Sequence, residues 1–306
     1  MALTINTNLS SIVAQNNLAK ATKSLNLAIE RMTTGYKINH AGDNAAGYSI
    51  ARNWETQLGS LDVAADNAAT GADMMSTLED HYSLVSSHLQ RVRDLTEQAA
   101  NGTYGSASLK AIRSEINARL EEVDRIAANC EFNGRKMMLG EDGGITTDLH
   151  LQVGLYSTGD SQITLKSTLF ESAKIGDLFK TYSKGDGTAD NTLATKDAVA
   201  DACTGYDKDG NPVAKNPADM LTKIDNVIKE ISNRTTTLGA AQNRIESAIE
   251  SIGVQSENIT SSLSTLRDAN IAEESSRYVQ AQILQQAAAT LLSTANRTPS
   301  IALNLL

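Results

Sequence analysis

Nucleophilic, proton-transfer and metal chemistry would fall in this 306-residue chain to six side chains above all: His40, His81, His88, His150, Cys130 and Cys203. His81 and His88 are seven apart and so share a helix face, but metal-holding pairs on helices stand three or four apart, and no Cys, Asp or Glu completes a signature around them. The two thiols have no patterned spacing and fall far short of a disulfide-stapled scaffold, so they read as free. Asp207, Asp209 and Asn211 open like a calcium loop, yet the sixth position, which must turn sharply and calls for glycine, is Pro212. Met74–Met75 and Met137–Met138 fit gap-filling on buried faces better than any cofactor box. A catalytic constellation needs a nucleophile, a base and an orienting group. The expectation is therefore no enzyme, no cofactor and no bound metal.

One cluster stands out by charge and spacing. In LQRVRDLTEQ at 89–98, Arg91, Leu95 and Gln98 share a helix face, because residues three and four apart are neighbours there. Glu115 supplies an acidic partner if its helix packs alongside. From spacing alone the ordinary reading is a solvated charged face.

The elements that would carry these residues are long helices. All three prolines, Pro212, Pro217 and Pro299, lie beyond residue 211, so nothing breaks a helix from inside in the first two thirds of the chain. Leu221, Ile224, Ile228, Ile231, Thr235, Leu238, Gln242, Ile245, Ile249, Ile252, Ser256, Ile259, Leu263 and Leu266 alternate in steps of three and four. That period is a coiled coil's, and the run predicts a helix of roughly 70 Å. Matching stripes are Leu58, Leu61, Ala65, Ala68, Ala72, Met75 and Leu78, then Tyr82, Val85, Leu89, Val92, Thr96 and Ala99, with one step shortened between Met75 and Tyr82. After the break NGTYGS at 101–106 come Leu109, Ile112, Ile116, Leu120, Val123 and Ile126. Three such stripes must bury one another, and with aromatics at 4% small aliphatics do the burying.

Both ends repeat the three-four step more weakly, at Leu18, Ala21, Leu25, Ala28 and Met32 and at Ala272, Val279, Ile283, Ala287 and Leu291. That is too little apolar surface to hold an isolated helix, so these segments need partners. In the centre, Leu149, Leu151, Val153 and Leu155, then Ile163 and Leu165, alternate with a period of two and predict a β-hairpin. Residues 180–217 are rich in Gly, Asp, Thr and Lys and read as a solvated surface excursion.

The 27 Lys and Arg against 36 Asp and Glu give a net charge of −9 with no basic run, which argues against a nucleic-acid backbone or an anionic membrane as partner. No window of 18 consecutive apolar residues and no basic n-region with an apolar h-region occur, so neither a spanning helix nor a secretory signal is expected.

These residues carry a resemblance. MALTINTNLSSIVAQNNLAKA at the start, ERMTTGYKINHAGDNAAGYSIA at 30–51, LQRVRDLTEQAANGT at 89–103, EFNGRKMMLG at 131–140, LGAAQNRIESAI at 238–249 and AQILQQAAATLLSTAN at 281–296 resemble the bacterial flagellins. The resemblance implies a mainly α fold, a long coiled-coil-like bundle built from N- and C-terminal segments with a small hairpin. It implies a terminal helical domain at 1–45 plus 267–306 lining a filament core, a helical domain at 46–179 plus 218–266 with the hairpin at about 148–166, and a short variable surface segment at 180–217. Leu18, Leu25, Met32, Val279, Ile283 and Leu291 would pack the filament core.

It further implies self-assembly into an extracellular helical homopolymer for motility, with export through the flagellar channel without a cleaved signal peptide. The export apparatus, a secretion chaperone, and cap and hook-junction proteins would be partners. The alternative is a hook–filament junction protein. Flagellins with large outer domains spend hundreds of residues where this chain has 180–217, so a thin filament is expected. The resemblance also implies recognition of the monomer by host innate immune receptors. A surface of the type bound by Toll-like receptor five would fall on Arg91, Leu95 and Glu115, reversing the reading from spacing. The stretch 30–51 resembles a plant-receptor epitope but departs from it at Met32, Tyr36, His40, Gly42, Asn44 and Tyr48, so weakened plant recognition is expected. Leu303, Leu305 and Leu306 match the region sensed by cytosolic receptors.

Overall fold

Caps and the placement of proline set the helices of the structure, a computed structural model that describes residues 8–156, 158–182, 190–209, 211–213 and 216–303, with side chains to 297. Helix α1 (Leu9–Thr34) starts at Asn8, whose side chain accepts from the Ser11 amide, and ends at Gly35, whose left-handed φ of 76° lets its N–H return to the Arg31 carbonyl. Helix α2 (Ala45–Ala100) runs 56 residues without a proline, and Asn44 caps its start by accepting from the Gly47 amide at 2.9 Å. Helices α3 (Ser106–Asn129), α4 (Ile175–Tyr182) and α5 (Lys196–Thr204) follow. Helix α6 (Pro217–Arg267) opens on proline, where the ring's fixed φ suits a first turn and the missing N–H costs no bond, and α7 (Ile271–Leu303) closes the described chain. Leu305 and Leu306 lie outside the described residues.

The chain divides into two compact units, Met1–Gly59 with Gln255–Leu306, and Ser60–Val254. In the first, α1 and α7 run antiparallel. Asn8 donates to the Ala295 carbonyl at 2.8 Å, Gln285 to the Thr22 hydroxyl at 3.1 Å, and Arg31 to Glu274 at 3.3 Å. Their other ends are joined by backbone bonds from Lys37 to the Arg267 carbonyl and from Ala269 to the Gly35 carbonyl. Arg267 also lies 4.2 Å from the centre of the Tyr36 ring and pairs with Glu55.

The second unit holds one continuous apolar core. Leu109, Ile112, Ile116, Leu120, Val123 and Ile126 of α3 are all buried, as their spacing predicts, and each contributes about 2 kcal/mol of burial. They share that core with Leu78, Tyr82, Val85, Leu89 and Val92 of α2 and with Ile224, Ile231, Leu238 and Ile245 of α6. Met75, Met137 and Met138 are fully buried. The predicted hairpin forms: β3 (Leu149–Gln152) pairs antiparallel with β4 (Gln162–Leu165), with Leu149 opposite Leu165 and Leu151 opposite Ile163. A second, tighter hairpin, β1 (Glu131–Phe132) with β2 (Arg135–Lys136), turns on Asn133 and Gly134, both at positive φ.

Two expectations need correction. On α6 the predicted stripe is right once per heptad, at Ile224, Ile231, Leu238, Ile245 and Ile252, but the second buried site of each heptad is Val227, Arg234 and Ala241, one residue before Ile228, Thr235 and Gln242. The pattern of apolar letters misses it because one of the true seam residues is an arginine. The excursion at 180–217 is not solvated throughout: α5 buries Val199, Ala200, Ala202 and Cys203. These small side chains pack α5 on α3, where Arg113, itself buried, meets Asp201 at 2.6 Å and Lys196 meets Glu121 at 3.1 Å. Residues 183–189, 210, 214 and 215 of that stretch lie outside the described residues.

Asp190, buried just before this helix, accepts from Lys223 at 2.8 Å and from the Thr192 hydroxyl at 2.6 Å, and these bonds hold its pKa down to about 2. Its folded pKa lies below the ordinary 3.8, so the stability it contributes is complete above that value and is lost as pH falls from 3.8 toward about 2. The unfolding free energies of the parent chain and Asp190→Asn, measured in urea, are therefore expected to differ at pH 6 and to converge as the pH is lowered through that window. A difference that stayed constant with pH would refute the contribution.

Candidate functional site

Alanine spacing decides what the terminal helices present. Ala14, Ala21 and Ala28 of α1, seven apart, are buried, as are Glu274, Ala281 and Ala288 of α7 on the same spacing. Side chains this small let the two helices approach closely and cover little else. Leu18, Leu25 and Met32 are consequently half-buried at the edges of the seam. The sequence stripe Val279, Ile283 and Leu291 is not the face that packs on α1: these residues are 48%, 60% and 63% exposed. Leu9, Ile12, Val13 and Ile29 of α1 are exposed as well. A groove of about 630 Å³ runs along the pair, floored by Ala21, Ala28, Ala281 and Ala288 and rimmed by Leu284 and Leu291. Contiguous apolar exposure of this kind marks an interaction surface.

In the second unit the structure brings Arg91 and Glu115 together across α2 and α3. Arg91 donates to one carboxylate oxygen of Glu115 through two nitrogens, at 3.0 and 2.8 Å, and both side chains are exposed. Leu95, placed beside them by spacing, is instead 2% exposed and belongs to the core. It can support this surface from beneath but presents nothing to a partner. Two residues on, and so on the other side of α2, Arg93 reaches Asp225 of α6 at 2.5 Å and Glu97 at 3.3 Å.

The segment 30–51 ends α1, turns and begins α2. Asp43 accepts from the His40 and Asn39 amides, each at 3.1 Å, and these bonds, the His40 bond first, hold its pKa below the ordinary value against the opposing effect of burial. His40 meets Glu30 at 2.8 Å, closing the turn.

The remaining candidates are structural. His81 meets the Thr77 carbonyl and His150 the Thr164 hydroxyl, and among the described residues no three His, Cys, Asp or Glu side chains converge as a metal site. Asp207 accepts from the Asp209 and Asn211 amides, a turn held by its own carboxylate. Cys130 and Cys203 are buried and lie in no disulfide, and burial pushes the Cys130 pKa up to about 12, far from the thiolate that reactivity needs.

Two groups escape the reading of spacing. Arg234 is 4% exposed in the α6 seam and donates to Glu171, Glu230 and the carbonyls of Glu171 and Ser172. It also stacks 5.1 Å from the Tyr182 ring centre. Burial opposes its charge, but Tyr82, Tyr182 and Glu230 outweigh that and raise its pKa. Glu274 is the other. A signal for both is present: each stands on a seven-residue repeat whose other members are apolar.

The family description "Bacterial flagellin N-terminal helical region" matches residues 5–142, and "Bacterial flagellin C-terminal helical region" matches residues 221–306. The chain belongs to the bacterial flagellin family. It is 31% identical to a protein named flagellin from Bacillus subtilis (strain 168), over 99% of each chain. It is 30% identical, again over 99% of each, to the flagellar filament 33 kDa core protein of Treponema phagedenis. Among solved structures, a putative flagellar hook-associated protein from Vibrio parahaemolyticus superposes with a TM-score of 0.59 over 74% of this chain and 100% of that one, at 16% identity, which is a likeness of fold alone.

Arg91 and Leu95 differ in how much the fold depends on them. Arg91→Ala removes an exposed ion pair and is expected to change the unfolding free energy by no more than about 0.5 kcal/mol. Leu95→Ala empties a core site and is expected to cost about 3 kcal/mol. Denaturant unfolding of both variants checks this, and equal losses would mean that Leu95 does not pack as described.

Proposed function

We propose that this chain is a structural subunit that self-assembles into the bacterial flagellar filament, and that it acts through apolar helix faces and not through catalytic side chains. The observation that carries this reading is the unsatisfied face of α7: Val279, Ile283 and Leu291 stand in water although an apolar helix partner lies alongside. In this packing only another copy or another protein can cover them, and the family supplies the copy. In this reading Leu18, Leu25, Met32, Val279, Ile283 and Leu291 pack the filament core. Residues 1–45 with 267–306 form its lining, 46–179 with 218–266 the layer around it, and 180–217 a small outer projection that leaves the filament thin.

Export proceeds through the flagellar channel without a cleaved signal, with the export apparatus, a secretion chaperone, and cap and hook-junction proteins as partners, and the filament serves motility outside the cell. The hook–filament junction alternative draws on a likeness of fold alone. Electron microscopy after seeding and salting-out is expected to show long tubes from the full chain and none from a version lacking residues 1–35 and 270–306. Persistent monomers, or short caps only on hook fragments, would overturn the filament reading.

The monomer is also a ligand of a Toll-like receptor five type surface, with Arg91 and Glu115 as the contacting pair and Leu95 holding their helix from within. This is supported by the exposure of the pair and by the two charge-assisted hydrogen bonds that hold it. Arg91→Asp sets two anions against each other without touching the core. It is expected to lower reporter-cell activation by monomeric protein at least about tenfold, a change that a lost interfacial charge pair readily produces. Unchanged activation would refute the assignment.

A further inference from the structure

We propose that Asn101 is a site of spontaneous modification, at which the side-chain amide is lost to the neighbouring Gly102 nitrogen and the residue becomes aspartate or isoaspartate, while the fold protects the same dipeptide at Asn133–Gly134. The sequence holds two Asn-Gly pairs, and both are exposed. Glycine in second place favours the reaction, because no Cβ shields the attacking nitrogen. The glycine nitrogen gives up its proton and bonds to the asparagine Cγ, the Cγ–Nδ2 bond breaks, and the amide nitrogen leaves with that proton as ammonia. The cyclic imide so formed takes up one water at either carbonyl. It opens to aspartate, or to isoaspartate with the main chain running through the former side chain. Nothing is oxidised or reduced, and water is the sole co-reactant.

What separates the two pairs is whether the chain lets that nitrogen reach Cγ. Asn101 directly follows α2, and its Oδ1 accepts from the Thr103 amide at 3.4 Å. The ring closed by this bond contains the Gly102 nitrogen, so the side-chain carbonyl is folded back toward the atom that attacks it. The Gly102 N–H makes no hydrogen bond among the described residues. The other ties of the loop are long, from Asn101 to the Gln98 carbonyl at 3.2 Å and from Tyr104 to the Asn101 carbonyl at 3.5 Å, so the small motion that completes the approach meets little resistance. Asn133 and Gly134, by contrast, have φ of 48° and 79°, the two left-handed residues of a tight hairpin turn. In that conformation the Gly134 nitrogen lies on the far side of the Cα–C bond from the Asn133 side chain. The turn is held by the pairing of Phe132 with Arg135, by Glu131 and Lys136, whose side chains meet at 2.6 Å, and by Met137 donating to the Cys130 carbonyl at 3.0 Å. Reaching Cγ there requires the hairpin to open.

The product bears on α2. A carboxylate at 101 stands at the C-terminal end of that helix, where the partial charge of the helix is already negative. It also adjoins the bond from Gln98 to the Tyr104 hydroxyl, at 2.9 Å, that fastens the loop to the last turn. Modification therefore loosens the end of the helix that carries Arg91 and Leu95.

The test holds full-length protein at mildly alkaline pH, where the glycine nitrogen loses its proton more readily, and maps its peptides by mass spectrometry over days, with isoaspartate read by enzymatic methylation. Conversion at Asn101 is expected to be at least about tenfold faster than at Asn133, the ratio given by a barrier difference of about 1.4 kcal/mol. In urea sufficient to unfold the chain the two rates should converge. Gly102→Ala is accommodated, because that position is not left-handed and no atom lies within 4 Å of where the side chain would begin. It should slow conversion at Asn101 at least about tenfold and leave Asn133 unchanged. Asn101→Asp, which carries the charge of the product, should speed hydrogen exchange in the last turn of α2. Equal rates in the folded protein, or faster conversion at Asn133, would overturn the proposal. A difference that persists in urea would overturn it as well, because sequence and not fold would then set the rates. Exchange in Asn101→Asp equal to that of the parent chain would overturn the consequence for α2.

Discussion

Two alanine-lined helices can approach closely, but they cannot cover each other's large side chains, and much of this molecule's character follows from that constraint. Along α1 and α7 the buried apolar positions are Ala14, Ala21, Ala28, Ala281 and Ala288, each removing little apolar surface from water. Larger residues on the same helices, Ile12, Val13, Ile29, Val279, Ile283 and Leu291, are left outside. A pair so constructed gains little by closing on itself and keeps most of its apolar surface for a later event. The unit at Ser60–Val254 follows the opposite rule: Ile116, Leu120, Leu89, Val92 and Leu238 are fully buried within the chain. One sequence thus combines a segment that completes its core alone with a segment that leaves its own unfinished.

Charge carries the specificity that uniform apolar packing lacks. Arg234 is the clearest case inside the core, where four acceptors and the Tyr182 ring satisfy a buried guanidinium. An arginine in a heptad seam costs desolvation, and its return is that only one arrangement of α6 against the 171–172 backbone meets all its donors. Tyr82 plays a similar part, its hydroxyl donating to the Leu169 carbonyl at 2.8 Å across 87 residues of sequence. Arg113 with Asp201, and Lys223 with Asp190, fasten the α5 region in the same manner. In each case the polar pair lies next to small or repetitive apolar side chains that would tolerate a shifted neighbour.

What the sequence discloses follows from which of these forces leaves a periodic trace. Apolar burial does, so α3 and its six-residue stripe, the long reach of α2 and α6, and the hairpin at Leu149–Leu165 are legible in the order of residues alone. Where polar atoms take seam positions the trace fails, which is why spacing reads α6 one residue out of phase at Val227, Arg234 and Ala241. Composition misleads at 190–204, because a stretch rich in Asp, Thr and Lys also holds Val199, Ala200, Ala202 and Cys203 on one side of a nine-residue helix. At the candidate surfaces, spacing groups Arg91 with Leu95 and Gln98, and Glu115 meets Arg91 because α3 packs alongside α2. Spacing cannot separate Arg91 from Leu95, since neighbours on a helix straddle the boundary between core and water. On α7 it marks the larger apolar face, Val279, Ile283 and Leu291, as one that needs a partner, and within its own chain that face stays exposed.

That exposed stripe is informative about the molecule. A helix that buries its alanines and exposes its isoleucines is poorly built as a component of a monomer and well built as a component of an assembly. The mismatch is measured by side chains whose burial would each contribute about 2 kcal/mol. A helix pair of 26 and 33 residues without a core of large residues has little independent stability. Its order and its association are therefore coupled, since the surface that makes assembly favourable is the surface whose exposure makes the isolated pair weak. Greater stability of the monomer, reached by turning those residues inward, would be obtained from the same apolar area and would reduce the drive to polymerise by a corresponding amount.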